Sequence, residues 1–280
     1  MHMSEQAQHV LQQLLKAVET DQIKLPILPE VALKVRQAVE KDCKSATDLA
    51  TLLEQDMALS ARLLQLANSP LYRSRTKIDN LHMAVTRLGV RIVKDIIVML
   101  AIKQAFNTQD KSLEKQFKEI WQSSVEVAAV CHELAKSQKD LNTEHALLAG
   151  LIYNIGALPI IELANRQLSL FGEAQNIKKI TQEIQGQLGE KILTFWDFPQ
   201  SLIDVVSQWD HFNRRHESAI DYVDIAQAAI LYTQHAPENT PSNWSNIPAI
   251  MKLGLDPENH EMDESTQQHL ENTRSSLLQI

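Results

Sequence analysis

The chain has 280 residues, 44% hydrophobic and 22% charged. That balance excludes a disordered polymer and leaves room for one large domain or two modest lobes. The formal net charge of −8 gives no electrostatic case for binding DNA or an anionic membrane. Seven glycines and 5% aromatics, against an abundance of Leu, Ala, Ile, Gln, Glu and Lys, disfavour a β-sandwich or barrel and favour helices.

In chain order, Ala7, Val10, Leu11, Leu14, Leu15 and Val18 fall on one face of an amphipathic helix that starts after Ser4. Pro26 and Pro29 in "KLPILPE" impose an extended connection, with Pro29 placed to begin the next helix. Ser45 with Asp48 has the form of a capping box ahead of Leu49, Leu52 and Leu53. Asp56 caps "MALSARLLQLA", which stops at "NSP" because Pro70 cannot continue it. Asn68 there is expected to satisfy the carbonyl end of its helix or the loop after it, since Asn tolerates left-handed backbone, and Arg62 to lay its stem over apolar neighbours. Asp79 or Asn80 opens another helix, and Gly89 closes it. A strongly apolar helix spans about 90 to 106.

The polar "TQDKSLEKQ" reads as a hinge or a boundary between lobes, followed by a long amphipathic helix from "FKEIWQSS" and one opened by Thr143. Further helices are predicted in "KKITQEIQGQLGEKILTFW", "SLIDVVSQWDHF" and "DIAQAAILYTQH", then a loop and a final helix. No stretch alternates with period two long enough for a strand, and no repeat is visible. The fold class is therefore all-α. Cys43 and Cys131 match no metal spacing and read as reduced thiols. The N-terminus lacks the pattern of a signal peptide, and the longest apolar run, in "RIVKDIIVMLAIKQAF", is too short and too charged to span a bilayer. A cytoplasmic protein is expected.

Three blocks carry a specific resemblance. "LPILPEVALKVRQAVE", "SATDLATLLEQDMALSARLLQLANSPLY" and "IDNLHMAVTRLGVRIVKDIIVMLA" resemble, in order and spacing, the HDOD family of bacterial signalling domains. The matching positions are Leu25, Pro26, Leu28, Pro29, Asp56, Asn68 and Ser69, then Ile78, Leu81, Ala84, Leu88 and Gly89. The likeness continues through "LLAGLIYNIG" and "GEKILTFWDFPQSLIDVV". It implies a two-lobed, HD-like helical architecture. The expected organisation is an N-terminal helix at 1–18, an HDOD domain at 19–236 and a C-terminal extension at 237–280. The domain's lobes would cover about 19–108 and 113–236. Read from the residues alone, Asp56 is a cap rather than a catalytic acid.

The family is related to metal phosphohydrolases, whose sites need imidazoles and carboxylates converging from several helices. The resemblance places those ligand positions on Ser123, Tyr153, Asn154 and Gln185. None carries an imidazole or a carboxylate, so no metal, no cofactor and no catalytic residue is expected. His132 and His145 read as structural or surface groups, and His235 stands near a helix end, where its charge would favour the dipole. The best remaining cluster is "WDHFNRRHE", with His211 and His216 near Asp210 and Glu217, but the spacing puts the histidines on different helix faces. Asp221 and Asp224 read as helix caps. The implied function is a non-catalytic signal-transduction module that binds a protein partner. Residual metal-dependent hydrolysis of a nucleotide or cyclic dinucleotide is the alternative, as is a nucleotide-sensing pocket without turnover. Tyr72, Arg73, Arg75 and Lys77 form a basic loop in an acidic protein and are the candidate partner contacts.

Overall fold

The computed structural model describes residues 3–20, 22–40, 45–72, 76–216, 219–237, 240–258 and 262–279. The described residues are helical, without a strand, and fall into two compact units. Unit 1 comprises Met1–Ile27 and Phe106–Glu261; unit 2 comprises Leu28–Ala105 and Met262–Ile280.

In unit 2, α2 (Glu30–Glu40), α3 (Ala46–Leu53), α4 (Met57–Ala67), α5 (Leu81–Leu88) and α6 (Val90–Ala105) pack together, joined by α14 (Glu264–Leu278). Helix α6 lies against α2, α4 and α5 and buries Ile96 to Ile102 without interruption, so it is the core of this unit. Its neighbours are started by local chemistry. Ser45 Oγ accepts from Asp48 N at 3.0 Å, Asp56 Oδ1 from Leu59 N at 3.0 Å, and Asn80 Oδ1 from Met83 N at 2.8 Å. Gly89 ends α5 at φ 86°, a left-handed conformation open to glycine. Pro29 stands one residue ahead of α2 rather than inside it.

Asn68 serves both the carbonyl end of its helix and the loop after it, but not through left-handed backbone. Its φ is −97°, so it makes no left-handed cap. Its side chain instead ties two segments: Nδ2 donates to Leu64 O and Ile78 O, both at 2.7 Å, and Oδ1 accepts from Ile78 N at 2.8 Å. The tether holds Ile78 in a small cluster with Ala67, Ala84 and Leu88. Asn68→Ala should therefore lower stability by about 1–2 kcal/mol, the worth of a few hydrogen bonds at a partly exposed site. Urea denaturation measures it, and an unchanged midpoint would mean the segment is held by packing alone.

Unit 1 is built on α7 (Lys111–Ala135) and α8 (Thr143–Ile152), which pack extensively, with α12 (Tyr222–Tyr232) against both. Around them lie α9 (Ala157–Arg166), α10 (Ala174–Phe195), α11 (Gln200–Gln208) and α13 (Pro248–Lys252). The stretch read as a hinge or lobe boundary lies just past the division between units at Phe106 and is the start of α7: Asp110 caps it by accepting from Ser112 N at 2.9 Å, and Leu113 and Phe117 are already buried. Lys111, Glu114, Lys115 and Gln116 around them are exposed, which gives that turn its polar appearance.

The N-terminal helix α1 (Glu5–Glu19) belongs to this unit and not to a leading segment of its own. Its Val10 and Leu14 join Ile160, Leu163, Ile184 and Leu188 in one apolar cluster. Ser4 donates through both N and Oγ to Glu183 Oε2, at 2.8 and 2.7 Å. Arg166 donates to Gln22 O at 2.7 Å, and the buried Trp196 indole to Pro26 O at 2.9 Å. The boundary between units thus falls within "LPILP", between the two Leu-Pro pairs.

The stretch Thr143–Arg166 is longer and more apolar than the run in α6, with mean hydropathy of 1.8, enough by composition to cross a membrane. It is broken between α8 and α9, and 89% of its most apolar window is buried inside the protein, as in a core segment.

Candidate functional site

Helices α7, α9 and α10 and the turn after α8 line a cavity of about 500 Å³, within the range of small-molecule sites. Ser123, Tyr153, Asn154 and Gln185 all line it, together with Thr181 and Trp209. The positions marked by resemblance, spread over sixty residues of sequence, are therefore brought to one place.

The close approach of two helices fixes this geometry. A Cβ on Gly156 would lie 1.9 Å from Gln185 O and 2.6 Å from Gly189 N, distances no packing tolerates. Glycine here lets the start of α9 press onto α10 beside the cavity.

Within the cavity wall, polar groups satisfy one another. Ser124 Oγ donates to Asn154 Oδ1 at 2.8 Å and Asn154 Nδ2 to Ser123 Oγ at 3.2 Å; Ser123 Oγ and Tyr153 OH share a hydrogen bond at 3.1 Å. Burial, partly offset by the hydrogen bonds from Ser123 and Asn154, pushes the Tyr153 phenol up to about 12, so it stays neutral. Its ring meets Trp209 edge-on, with centroids 5.8 Å apart. Ser124, which the sequence did not single out, is fully buried and orients Asn154. His235 also lines the cavity, and its Nε2 lies 2.7 Å from Glu126 Oε2.

These donors do not fit a divalent metal. Ser123, Tyr153, Asn154 and Gln185 offer neutral oxygens, with no imidazole and no carboxylate among them.

A second cluster gathers elsewhere in unit 1. His216, Asp221 and Asp224 place potential ligand atoms within 4.8 Å of one another. Asp221 caps α12 in a reciprocal capping box with Asp224, as expected of the pair. Yet Arg214 bridges both carboxylates, at 2.5 Å to Asp221 and 3.2 Å to Asp224, and Lys252 Nζ sits 2.8 Å from His216 Nε2 and 3.7 Å from Asp224. Two acids facing two bases are already neutralised, which makes this an ion-pair network. The Arg214 guanidinium leads the effects that hold Asp221 below the ordinary carboxylate range, against the opposing effect of burial. His211 does not join His216; it lies 3.8 Å from Asp210.

His132 is buried, 3.8 Å from the buried Glu144, with Nδ1 lacking a hydrogen-bond partner among the described residues. His145 lies against the Tyr222 ring. Cys131 is buried and reduced, and burial raises its thiol pKa. Of the basic loop, Tyr72 closes a short 3-10 turn, Pro70–Tyr72, and Lys77 is exposed. Arg73, Arg75, Cys43 and Glu217 lie outside the described residues.

The helical arrangement around this cavity is that of the HD-like class of all-α domains. The family model described as HDOD domain matches residues 25–212, and the chain belongs to that family. Over its whole length it is similar to a crystallised Shewanella amazonensis SB2B protein, named provisionally as a metal-dependent phosphohydrolase. The two are 29% identical with a TM-score of 0.82, covering 98% of this chain and 100% of the other. An HDOD domain protein of unknown function from Geobacter sulfurreducens shares the fold at 20% identity and TM-score 0.64, with 96% of each chain covered. An uncharacterised Treponema pallidum (strain Nichols) protein is 22% identical over 196 residues, 65% of this chain. The match spans 37% of that relative's length.

Proposed function

We propose that this protein is a non-catalytic regulatory module of HDOD type, working in the cytoplasm by binding a protein partner. The observation that carries this reading is the cavity wall of Ser123, Ser124, Tyr153 and Asn154, a network of hydroxyls and an amide where the related hydrolases need imidazoles and carboxylates. Those four positions offer nothing to hold a metal or lower the pKa of a bound water, and the His235 imidazole at the rim is paired with Glu126. Regulation is then the task left to the fold, and the family's place in signalling supports it.

The purified protein should carry less than one tenth of an equivalent of any transition metal, and should cleave phosphodiesters no faster than buffer. Metal analysis finding one or two tightly held ions per chain would overturn the reading in favour of a hydrolase, the reading that the name of the Shewanella protein favours. Tyr153→His with Asn154→Asp should not create activity, because Ser123 and Gln185 still offer no ligand. Turnover by that double variant would show that other residues complete a site.

A further inference from the structure

Two polar side chains on the cavity wall are left over from the network. Thr181 Oγ1 is buried without a hydrogen-bond partner among the described residues, and Gln185, a buried residue on the cavity wall, makes no side-chain hydrogen bond among them either. Both residues are more than nine-tenths buried. They stand four apart on α10, one turn along the same face. Buried polar groups are almost always satisfied, so such a pair at a cavity is a mark of something that completes it.

What remains open there has a definite chemistry. An amide carries a donor beside an acceptor, and a hydroxyl serves as either. The aromatic edges of Tyr153 and Trp209 and the apolar faces of Ile120, Ala157 and Ile177 surround them. Two basic groups line the cavity, and each faces an acid: Lys178 is an exposed residue with the exposed Glu119 on the same lining, and His235 lies against Glu126. The wall therefore suits a neutral, flat ligand with donor and acceptor side by side, and gives a phosphate nothing to neutralise it. An amide side chain pairs in two-point fashion with the N6–N7 edge of adenine, and aromatic side chains complement the base's flat face.

We propose that this cavity binds a purine base by its hydrogen-bonding edge, Gln185 reading the edge and Thr181 completing it. The proposal rests on the reading that the cavity holds no metal. It makes the protein a sensor of a neutral nucleoside, with any phosphate carried outward at the mouth.

The test is calorimetric titration of the full chain with adenosine, with and without EDTA, beside inosine, uridine and AMP. Saturable binding of adenosine that EDTA leaves unchanged is expected, with AMP within about threefold and uridine at least tenfold weaker. Gln185→Leu should weaken adenosine binding about tenfold, the worth of a lost two-point contact. The near-isosteric Thr181→Val should weaken it severalfold while circular dichroism and melting temperature stay those of the parent. If Gln185→Leu fails to fold, Gln185→Glu, which keeps the shape and removes the amide donor, supplies the same comparison. No adenosine binding at millimolar concentration overturns the proposal, as does binding of AMP alone, which would mean phosphate recognition. Binding abolished by EDTA would overturn it too and would reopen the metal question, which metal analysis answers separately.

Discussion

Gly156→Ala is expected to destabilise the protein by about 3 kcal/mol or more, the upper end of what overpacking costs, because the added carbon meets backbone and not a movable side chain. The opposing atoms are Gln185 O at 1.9 Å and Gly189 N at 2.6 Å. Relief requires α9 and α10 to separate, and that would also loosen the wall holding Gln185. Chemical denaturation should show a much earlier midpoint, and soluble yield should fall. A variant as stable as the parent would mean that the two helices slide apart at little cost.

Acid should weaken the fold through His132. Burial, reinforced by the nearby Lys136 charge and only partly opposed by Glu133, lowers its pKa from 6.5 to about 4. The Glu144 carboxylate, 3.8 Å from Nε2, is too distant to hydrogen-bond and does not offset burial. Because the folded value lies below the unfolded one, the unfolded chain takes up a proton that the native state refuses. Stability from this group is complete above about pH 7 and falls as pH drops through 6.5 toward 4. At about 1.4 kcal/mol per pH unit, the loss reaches about 3 kcal/mol near pH 4. Denaturation curves at stepped pH should show that slope in the parent and a shallower one in His132→Gln. Parallel profiles for the two proteins would remove His132 as the source. Asp221, whose pKa is lowered, acts only in more acid solution, where its carboxylate takes up protons.

Much of this was legible in the sequence where the cause is local. Ser4, Ser45, Asp56 and Asn80 each cap a helix through a backbone N–H three residues on, so residue type and position suffice. The start of α7 was legible too, in the spacing of Leu113 and Phe117, but the polar residues around them hid it. Other features depend on how helices cross. Ser124 reaches Asn154 across thirty residues, and Gly156 marks a contact made only once α9 meets α10. "GQLGE" carried little meaning as a string; in the fold, Gly189 faces both Gly156 and Val206. Nor does spacing foretell that His216 would turn to Asp221 and Asp224 with Arg214 and Lys252 beside them.

The division of the chain also bears on the order in which it is made. Helices α2 to α6 leave the ribosome early, yet the helix that packs on their Pro70–Tyr72 turn, α14, lies beyond residue 261. Gln65 Nε2 donates to Gln279 O at 3.0 Å, and Ser276 Oγ accepts from Leu71 N at 3.3 Å, so the closing contacts come from the far end of the sequence. Helices α2 to α6 are thus completed only after α14 has been made, and during synthesis their Pro70–Tyr72 turn waits through some 150 residues of the other unit. A nascent-chain series arrested at successive lengths would acquire protease resistance in unit 1 before unit 2, the reverse of the order in which most of their helices appear.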